Sequence, residues 1–205
     1  MNIDVKNSIK FVDYNESMKI LEKRANDVFS GKKNEFLWLL EHNPVYTAGT
    51  SSNNSDLLNK KLRVIKTNRG GKYTYHGPGQ KVVYFALNLN KRGKDIRKFV
   101  GKLEGCIIEI LKEYKIKSYT DKKNIGIWVN RNNDTSKIAA IGLRVKKWIV
   151  YHGFSLNVSN DLTKYNEIIP CGIKDKKMTS LKEMGIKNYK NIDKIIIDKF
   201  LNIFL

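Results

Sequence analysis

Residues 69–89 read RGGKYTYHGPGQKVVYFALNL, and this stretch decides the fold. Its first part is rich in glycine, whereas its last nine residues are mostly β-branched, aromatic or aliphatic. The preceding stretch LRVIKT (62–67) is also mostly β-branched or aliphatic. The pattern predicts two strands joined by a glycine-rich loop. A P-loop needs G-x-x-x-x-G-K-[ST] ahead of a helix, and a dinucleotide fold needs G-x-G-x-x-G, and neither spacing occurs here. The loop is therefore predicted to bring backbone close to a ligand, with Arg69 and His76 as its polar side chains.

On both sides of this stretch, apolar spacing predicts further strands and three helices. Two helices are predicted over 15–30 and 95–115, and Asn191 is predicted to open a third after a possible capping box at Ser180 and Glu183. The predicted strands are 36–40, 45–49, 62–67, 81–89, 125–129, 137–145 and 147–158. Strands dominate the middle and helices flank them. The expected fold class is α+β, with a mixed or antiparallel central sheet flanked by helices and a single domain over 1–205.

The composition excludes several broad classes of protein. With 205 residues, of which 41% are hydrophobic, the chain is expected to bury a core rather than remain disordered. No apolar run approaches the length of a membrane span, and the N-terminal residues show no secretory signal. Two cysteines cannot form a disulfide framework. The sequence predicts a soluble cytoplasmic protein without membrane association.

The formal net charge of +19 has three possible explanations. Nucleic-acid binding is one, because cationic surfaces release counterions from phosphate backbones. However, only seven of the thirty-nine basic residues are arginine, the residue preferred for phosphate and base contacts, and the lysines are scattered along the chain. A general compositional drift towards lysine, asparagine and isoleucine is the second explanation, and attraction to an acidic partner is the third.

The three histidines and three prolines fall in a few glycine-containing segments. These segments are LEHNPVYTAG (40–49), RGGKYTYHGPGQ (69–80), YHGFSLN (151–157) and EIIPCGI (167–173). Clustering of this kind indicates loops of specified backbone shape. Two interpretations follow: a site assembled from distant parts of the chain, or a set of ordinary turns.

The two cysteines differ in their surroundings. Cys106 lies among aliphatic residues in a predicted helix, where a cysteine usually behaves as a small, inert hydrophobe. Cys171 lies between Pro170 and Gly172, which is typical of a thiol at a loop tip but also of a small buried turn residue. A nucleophilic Cys171 needs a group that stabilises its thiolate, and a lysine could do so. The residue pattern alone does not select which lysine.

Several motifs together resemble one known family. RGGKYTYHGPGQ, SKIAAIGLRV (136–145), YHGFSLNV (151–158) and IIPCGI (168–173) occur in the order found in the lipoyl(octanoyl) transferases, the octanoyl-[acyl-carrier-protein]:protein N-octanoyltransferases. LEHNPVYTAG and MTSL (178–181) also match, so the resemblance covers about residues 36–182. It implies the α+β fold shared by biotin and lipoate protein ligases.

The resemblance implies a catalytic cysteine–lysine pair, which falls on Cys171 and Lys137. Cys171 would attack the thioester of octanoyl-acyl carrier protein and hold the octanoyl group, while Lys137 would lower the pKa of the thiol and act as acid and base. Neither ATP nor another cofactor is implied, and no metal.

The resemblance also assigns three segments to substrate binding. They comprise Arg69, Gly70, Gly71, Lys72, Tyr73, Thr74, Tyr75 and His76 in the glycine-rich loop, Ala140, Ile141 and Gly142, and Gly153, Phe154 and Ser155. The sequence departs from the family pattern at Lys72 and Lys81, where less charge is usual, and at Ser155, where a small apolar residue is usual.

The implied partners are octanoyl-acyl carrier protein as donor and lipoyl domains as acceptors, namely those of 2-oxoacid dehydrogenase E2 subunits and the glycine-cleavage H protein. Nucleic acid and membrane are not expected partners, and a monomer is expected. Because the implied partners are acidic, the basic surface is expected to attract them. Two alternatives stay open: an ATP-dependent lipoate or biotin ligase on the same fold, and a nucleic-acid-binding module without enzymatic activity.

Overall fold

The structure is a computed structural model that describes residues 2–131, 134–169 and 177–205. Within these ranges the chain forms eleven strands and three α-helices. In chain order they are β1 (Ile3–Asn7), α1 (Tyr14–Phe29), β2 (Glu35–Leu40), β3 (Val45–Ala48), β4 (Val64–Lys66), β5 (Tyr73–His76), β6 (Gln80–Asn88), α2 (Ile96–Lys112), β7 (Ser118–Thr120), β8 (Ile127–Arg131), β9 (Asp134–Lys146), β10 (Ile149–Asn157), β11 (Lys177–Met178) and α3 (Ile192–Phe204).

The described strands form two sheets. Eight strands make a mixed sheet in the order β1-β2-β6-β10-β9-β8-β7, with β11 paired to β9 at its side. Its β1–β2 and β11–β9 pairs are parallel, and the pairs between them are antiparallel. A small sheet of order β4-β3-β5 carries the glycine-rich loop. The candidate ligand site, which includes this loop, therefore lies where the small sheet meets the centre of the large sheet.

The central strands are buried on both faces, which explains their continuous apolar sequence. Along β2, Leu37 and Leu39 belong to the core beneath α2 and α3, whereas Trp38 and Leu40 belong to the core beneath α1. Residues on β6 alternate in the same way between the two cores. The large sheet is thus a layer between α1 on one face and α2 with α3 on the other.

The long helices begin at capped residues. Asp13 accepts a hydrogen bond from the Glu16 amide at the start of α1, and Asp95 accepts one from the Lys98 amide at the start of α2. In the part of the chain that is described, no helix combines the length and the apolarity that crossing a bilayer demands.

The expected α+β class, with a mixed sheet flanked by helices, is confirmed. One correction concerns the glycine-rich loop, because its residues 73–76 form the strand β5, which pairs antiparallel with β3 in the small sheet. Ser180 does accept a hydrogen bond from the Glu183 amide, but a turn follows it, and the last helix begins at Ile192. The short strands β1, β7 and β11 were not predicted, because they are only five, three and two residues long.

Candidate active site

The glycine-rich loop and the central strands enclose a cavity, which we call the trough. Its floor is made of two neighbouring rows of cross-strand partners that have small residues on β9 and β10. The rows are Val82–Ser155–Ala140 and Tyr84–Gly153–Gly142. Cross-strand partners share a face of a sheet, so the small side chains leave a depression on the α1 side. The residues lining the trough are Tyr14, Arg69, Gly71, Lys72, Tyr73, Thr74, His76, Val82, Tyr84, Ala140, Ile141, Gly142, His152, Gly153, Phe154 and Ser155.

Arg69 shapes the loop that roofs the trough. Its buried guanidinium donates to the carbonyl and hydroxyl oxygens of Thr47 at 3.1 and 2.8 Å, and to the carbonyls of Lys72 and Gly70 at 2.9 and 3.0 Å. A Cβ on Gly49 would lie 2.7 Å from Nη1 of Arg69, so only glycine leaves room for this packing. Arg69 therefore holds the backbone of the loop in place around its charge.

His76 begins a chain of buried hydrogen bonds that reaches β9. Its Nδ1 lies 2.6 Å from Oε1 of Gln80, whose amide nitrogen donates to Oδ1 of Asn157 at 2.9 Å. Asn157 donates to the Thr179 carbonyl, and the Thr179 amide donates to the carbonyl of Lys137. Because the amide oxygen of Gln80 can only accept, Nδ1 of His76 carries the proton and Nε2 is an acceptor.

All three histidines are buried and neutral. Burial, with the neighbouring His42 ring and the Arg69 charge, lowers the pKa of His76 to about 3. Burial lowers the pKa of His42 to about 4, and burial together with the Arg69 and Arg144 charges lowers the pKa of His152 to about 3. The neutral imidazoles of His76 and His152 and the phenols of Tyr14 and Tyr84 line one end of the trough. These uncharged groups suit an uncharged ligand.

His152 lines the trough because of an unusual backbone conformation. Its φ of +69° lies in the left-handed region, which costs about 1–2 kcal/mol for a residue with a side chain. Consecutive side chains of a strand normally point to opposite faces, yet the ring of His152 stacks on that of Tyr151 at 5.1 Å and lies edge-on to Tyr84. Its Nε2 donates to Oδ1 of Asn68 at 2.7 Å. Because Asn68 immediately precedes Arg69, this bond ties the strained strand to the roof.

A β-bulge in β9 directs Lys137 to the same face as the trough. Ile127 pairs with Ala139 but Trp128 pairs with Lys137, and the two consecutive residues Ile138 and Ala139 both lie in the core beneath α2. Without the extra residue, alternation would place Lys137 on the side of Ala139. The bulge instead places it on the side of Trp128 and of the trough.

The Lys137 side chain is buried, with 2% of its surface exposed. Its Nζ donates to the Ile125 carbonyl at 2.9 Å and lies 4.6 Å from the centre of the Trp128 ring. A Cβ on Gly126, whose φ is +132°, would lie 3.2 Å from Nζ, so this position needs glycine. Cys171, the expected partner of Lys137, lies outside the described residues.

The trough brings together almost all of the residues expected to bind substrate. Twelve expected positions line it, drawn from all three segments. The exceptions are Gly70, which lines an adjoining cavity, and Tyr75, whose ring packs against Tyr46 of the small sheet at 5.2 Å and against Tyr165 at 6.0 Å. Alternation along β5 places Thr74 and His76 on the face of the trough and Tyr75 on the opposite face, and only Tyr73, at the start of the strand, lines the trough despite sharing the parity of Tyr75.

The unexpected charges near the loop are paired. Lys72 forms an ion pair with Asp56 at 3.1 Å, and Lys81 lies 3.1 Å from Glu41 and 3.0 Å from Asp193. Burial works against the Lys81 ammonium, but its bonds to Asp193 and Glu41 outweigh this, and the pKa of Lys81 is raised. Lys81 does not line the trough, so its charge does not enter the site.

Four trough residues were not expected from the sequence: Tyr14, Val82, Tyr84 and His152. His152 had a detectable signal, because it was one of three rare histidines in glycine-containing segments. The other three lie in ordinary helix or strand patterns, and only the register of β6 and the packing of α1 place them at the trough.

Cys106 is fully buried in α2, and burial, with the nearby Glu109 charge, raises the pKa of its thiol to about 12. Its expected role as an inert core residue is confirmed. In residues 2–131, 134–169 and 177–205 there is no group of three or more His, Cys, Asp or Glu residues arranged to hold a metal ion.

Curated relatives of this chain are named octanoyltransferases. The one from Wolbachia sp. subsp. Brugia malayi (strain TRS) is 45% identical over 199 residues, covering 96% of this chain and 97% of the relative. That from Ehrlichia chaffeensis is 46% identical, covering 94% of this chain and 92% of the relative. The Anaplasma phagocytophilum protein is 44% identical, with both chains covered completely. The resemblance seen in the motifs is confirmed over nearly the full length.

Solved structures of lipoate-protein ligases have the same fold. Lipoate-protein ligase A bound with ATP superposes with a TM-score of 0.72 at 13% identity, covering 97% of this chain and 85% of that one. An archaeal bi-partite lipoate protein ligase from Thermoplasma acidophilum also gives 0.72, at 11% identity, covering 98% and 84%. The sequence pattern of the lipoyl protein ligase A/B catalytic domain matches residues 13–201. With this match and these relatives, the chain belongs to the lipoyl protein ligase A/B catalytic domain family.

Proposed function

We propose that this chain transfers an octanoyl group from octanoyl-acyl carrier protein to the ε-amine of a lysine on lipoyl domains, without ATP, as the first step of endogenous protein lipoylation. The observation that carries the proposal is the trough, whose floor is built of small uncharged residues and lies on the same face of β9 as the buried Lys137. The octanoyltransferase names of relatives that match nearly the whole chain support it.

The trough suits an aliphatic chain that is bound by burial. Its floor is formed by Ala140, Gly142, Gly153 and Ser155, and its far end by neutral aromatic and imidazole rings. Each buried methylene contributes about 0.8 kcal/mol, so six methylenes contribute roughly 5 kcal/mol. Ser155 places a hydroxyl in the row nearest Lys137, which is the end where the polar carbonyl of an acyl group would lie.

In the first step, the thiolate of Cys171 attacks the carbonyl carbon of the donor thioester. The bond from that carbon to the carrier's sulfur breaks, and the leaving thiolate takes a proton from the Lys137 ammonium. An ammonium close to a thiol favours the thiolate, which is the nucleophilic form. The product is an octanoyl thioester on Cys171.

In the second step, the neutral amine of the acceptor lysine attacks the acyl-enzyme. The bond to the Cys171 sulfur breaks, the attacking amine gives its proton to Lys137, and an amide is released. One thioester replaces another in the first step, and the amide formed in the second is more stable than a thioester. Transfer therefore needs no ATP.

The proposed acceptors are lipoyl domains of 2-oxoacid dehydrogenase E2 subunits and the glycine-cleavage H protein. The net charge of +19 favours encounter with acidic partners, and we propose that it speeds binding of both carrier protein and lipoyl domain. We further propose that the chain acts as a monomer in the cytoplasm.

The test is intact-protein mass spectrometry after mixing with octanoyl-acyl carrier protein in the absence of ATP. One octanoyl adduct that is labile to hydroxylamine is expected in the unmodified chain, none in Cys171→Ser, and slower labelling in Lys137→Ala. Addition of a lipoyl domain should move the adduct to the acceptor. Absence of both adduct and transfer would refute the proposal, and pyrophosphate release with ATP and octanoic acid would identify a ligase instead.

A further inference from the structure

A second cavity adjoins the trough. It has a volume of about 380 Å³ and shares Gly71, Lys72, Ile141 and Gly142 with the trough. Lys137 also lines it. The second cavity therefore adjoins the trough along Ile141 and Gly142 and also reaches the side chain to which the proposed function assigns proton transfer.

One wall of this cavity is an unpaired edge of the large sheet. Strand β8 pairs with β9 only as far as Ala139, whereas β9 continues to Lys146, so β9 beyond Ala139 has a described strand on one side only. The carbonyl of Leu143 faces this side, where it accepts a hydrogen bond from the Gly70 amide at 2.9 Å. Alternate residues of a strand direct their peptide groups to the same side, so those of Ile141 and Val145 also face the cavity. An unpaired edge is a template for amide groups of a ligand.

The remaining walls are apolar or basic. Ile96 and Val100 of α2 cover the cavity opposite the strand edge. Three lysines, Lys72, Lys123 and Lys137, lie among its described lining residues, which include no carboxylate. The cavity thus combines amide-binding backbone, apolar walls and positive charge in one continuous space.

We propose that this second cavity binds the pantetheine arm of the acyl donor, an inference that rests on the proposed function. The arm is covalently joined to the octanoyl group through the thioester. When the acyl chain occupies the trough, the atoms beyond the sulfur must leave through a space that adjoins it near Lys137. The arm carries two amides that match the strand edge, a dimethyl carbon that matches the apolar wall, and a phosphate that matches the exposed Lys123 at the rim.

The test separates the two half-reactions. Ile96→Trp fills the cavity from a helix that does not contact the trough, and Ile20→Trp is its control, because Ile20 lies on α1 with 42% exposure against 43% for Ile96. Acylation is timed with octanoyl-pantetheine and with the octanoyl thioester of N-acetylcysteamine, which lacks most of the arm. Transfer is timed from preformed acyl-enzyme to a lipoyl domain.

We expect Ile96→Trp to slow acylation by octanoyl-pantetheine about tenfold, and acylation by the short thioester less than about twofold. Transfer from the acyl-enzyme should be unchanged, and Ile20→Trp should resemble the parent chain in every assay. If only transfer from the acyl-enzyme is slowed, the cavity belongs to the acceptor peptide and the proposal is wrong. The proposal is also overturned if acylation is slowed equally with both thioesters, or is not slowed with either. If the parent chain accepts octanoyl from no donor, the proposed function itself has failed.

A second variant tests the same proposal without requiring the fold to accommodate a larger side chain. Lys123→Glu changes an exposed rim residue, and Lys19→Glu on α1 is the matched control. Lys123→Glu should raise KM for octanoyl-phosphopantetheine about tenfold while leaving KM for octanoyl-pantetheine within about twofold, because only the former carries a phosphate. Equal effects on both donors, or no effect on either, would contradict the placement of the arm.

Discussion

Gly142 offers a direct test of the trough as the site of the acyl chain. In Gly142→Ala, the added Cβ would lie 3.2 Å from Cδ of Arg69 and 3.3 Å from the Gly70 carbonyl oxygen. Because Arg69 and Gly70 leave the added methyl group little room on the side of the loop, the methyl group takes up space on the floor that a ligand would otherwise occupy. Along β9 the order is Lys137, Ala140, Gly142, so the methyl group shortens the end of the trough that lies farther from the reacting thioester.

The magnitude follows from the number of methylenes that lose their place. One excluded methylene costs about 0.8 kcal/mol of burial, or about a fourfold change in rate, and two cost about fifteenfold. We expect the ratio of octanoyl to hexanoyl incorporation to fall by about four- to fifteenfold in Gly142→Ala. The assay mixes equal amounts of the two pantetheine thioesters with the protein and reads both acyl-enzymes by mass spectrometry.

Gly105→Ala is the control for replacing a glycine by alanine. Gly105 lies in α2, and nothing lies within 4 Å of a Cβ added there. That variant should be more stable by roughly 0.5–1 kcal/mol and should keep the parent ratio of acyl chains. A folded Gly142→Ala protein that also keeps the parent ratio would refute the assignment of the acyl chain to the trough.

Three further outcomes concern stability. In Gly153→Ala the new Cβ would lie 1.8 Å from a carbonyl oxygen of β6, so urea denaturation should show a loss of about 3 kcal/mol or more, and an unchanged midpoint would contradict the register described. Arg69→Met leaves buried carbonyl acceptors without their donor, and thermal unfolding should report a loss of roughly 3 kcal/mol; a loss below about 1 kcal/mol would show that the guanidinium does not hold the loop. The three histidines have folded pKa values of about 3 to 4, below the ordinary 6.5, so the unfolded chain binds more protons below pH 6.5. Their contribution to the free energy of unfolding is complete above pH 6.5. As the pH falls below 6.5, the free energy of unfolding should decrease by up to roughly 4 kcal/mol per pH unit. Urea midpoints that stay level from pH 7 to 5 would show that these rings are not buried as described.

The sequence was sufficient to predict the elements whose residues signal them locally. The helices over 15–30 and 95–115 have apolar residues at helical spacing and capping aspartates, and both form within a few residues of the predicted bounds. The long strands are rich in β-branched and aromatic residues, and they too form where expected. Strand β5 was missed because its pairing with β3 lies in a separate small sheet, which no local pattern announces.

The resemblance supplied twelve of the sixteen residues that line the trough, but not the reason why they meet. Local sequence shows glycine and alanine at 140–142 and 153–155 without showing that Gly153 lies between Tyr84 and Gly142. That register depends on pairing between strands far apart in the chain. The sequence suggested Arg69 as a polar side chain for a ligand, which stays a prediction, but it did not show the hydrogen bonds to Thr47 and Lys72 by which Arg69 also shapes the loop.

Two departures from regular strand geometry build the candidate site, and each acts on a different strand. The bulge at Ile138–Ala139 turns Lys137 towards the face of the trough, and the left-handed His152 turns its ring to close the far end. Each lies on a strand that is paired on both sides at that point and packs against the core beneath α2, so the surrounding structure can sustain the strain. A regular sheet of the same sequence would direct Lys137 and His152 into the core beneath α2, leaving the face of the trough without the Lys137 side chain and without the His152 ring. The irregular positions, rather than the loop alone, therefore fix where Lys137 and His152 lie relative to the trough.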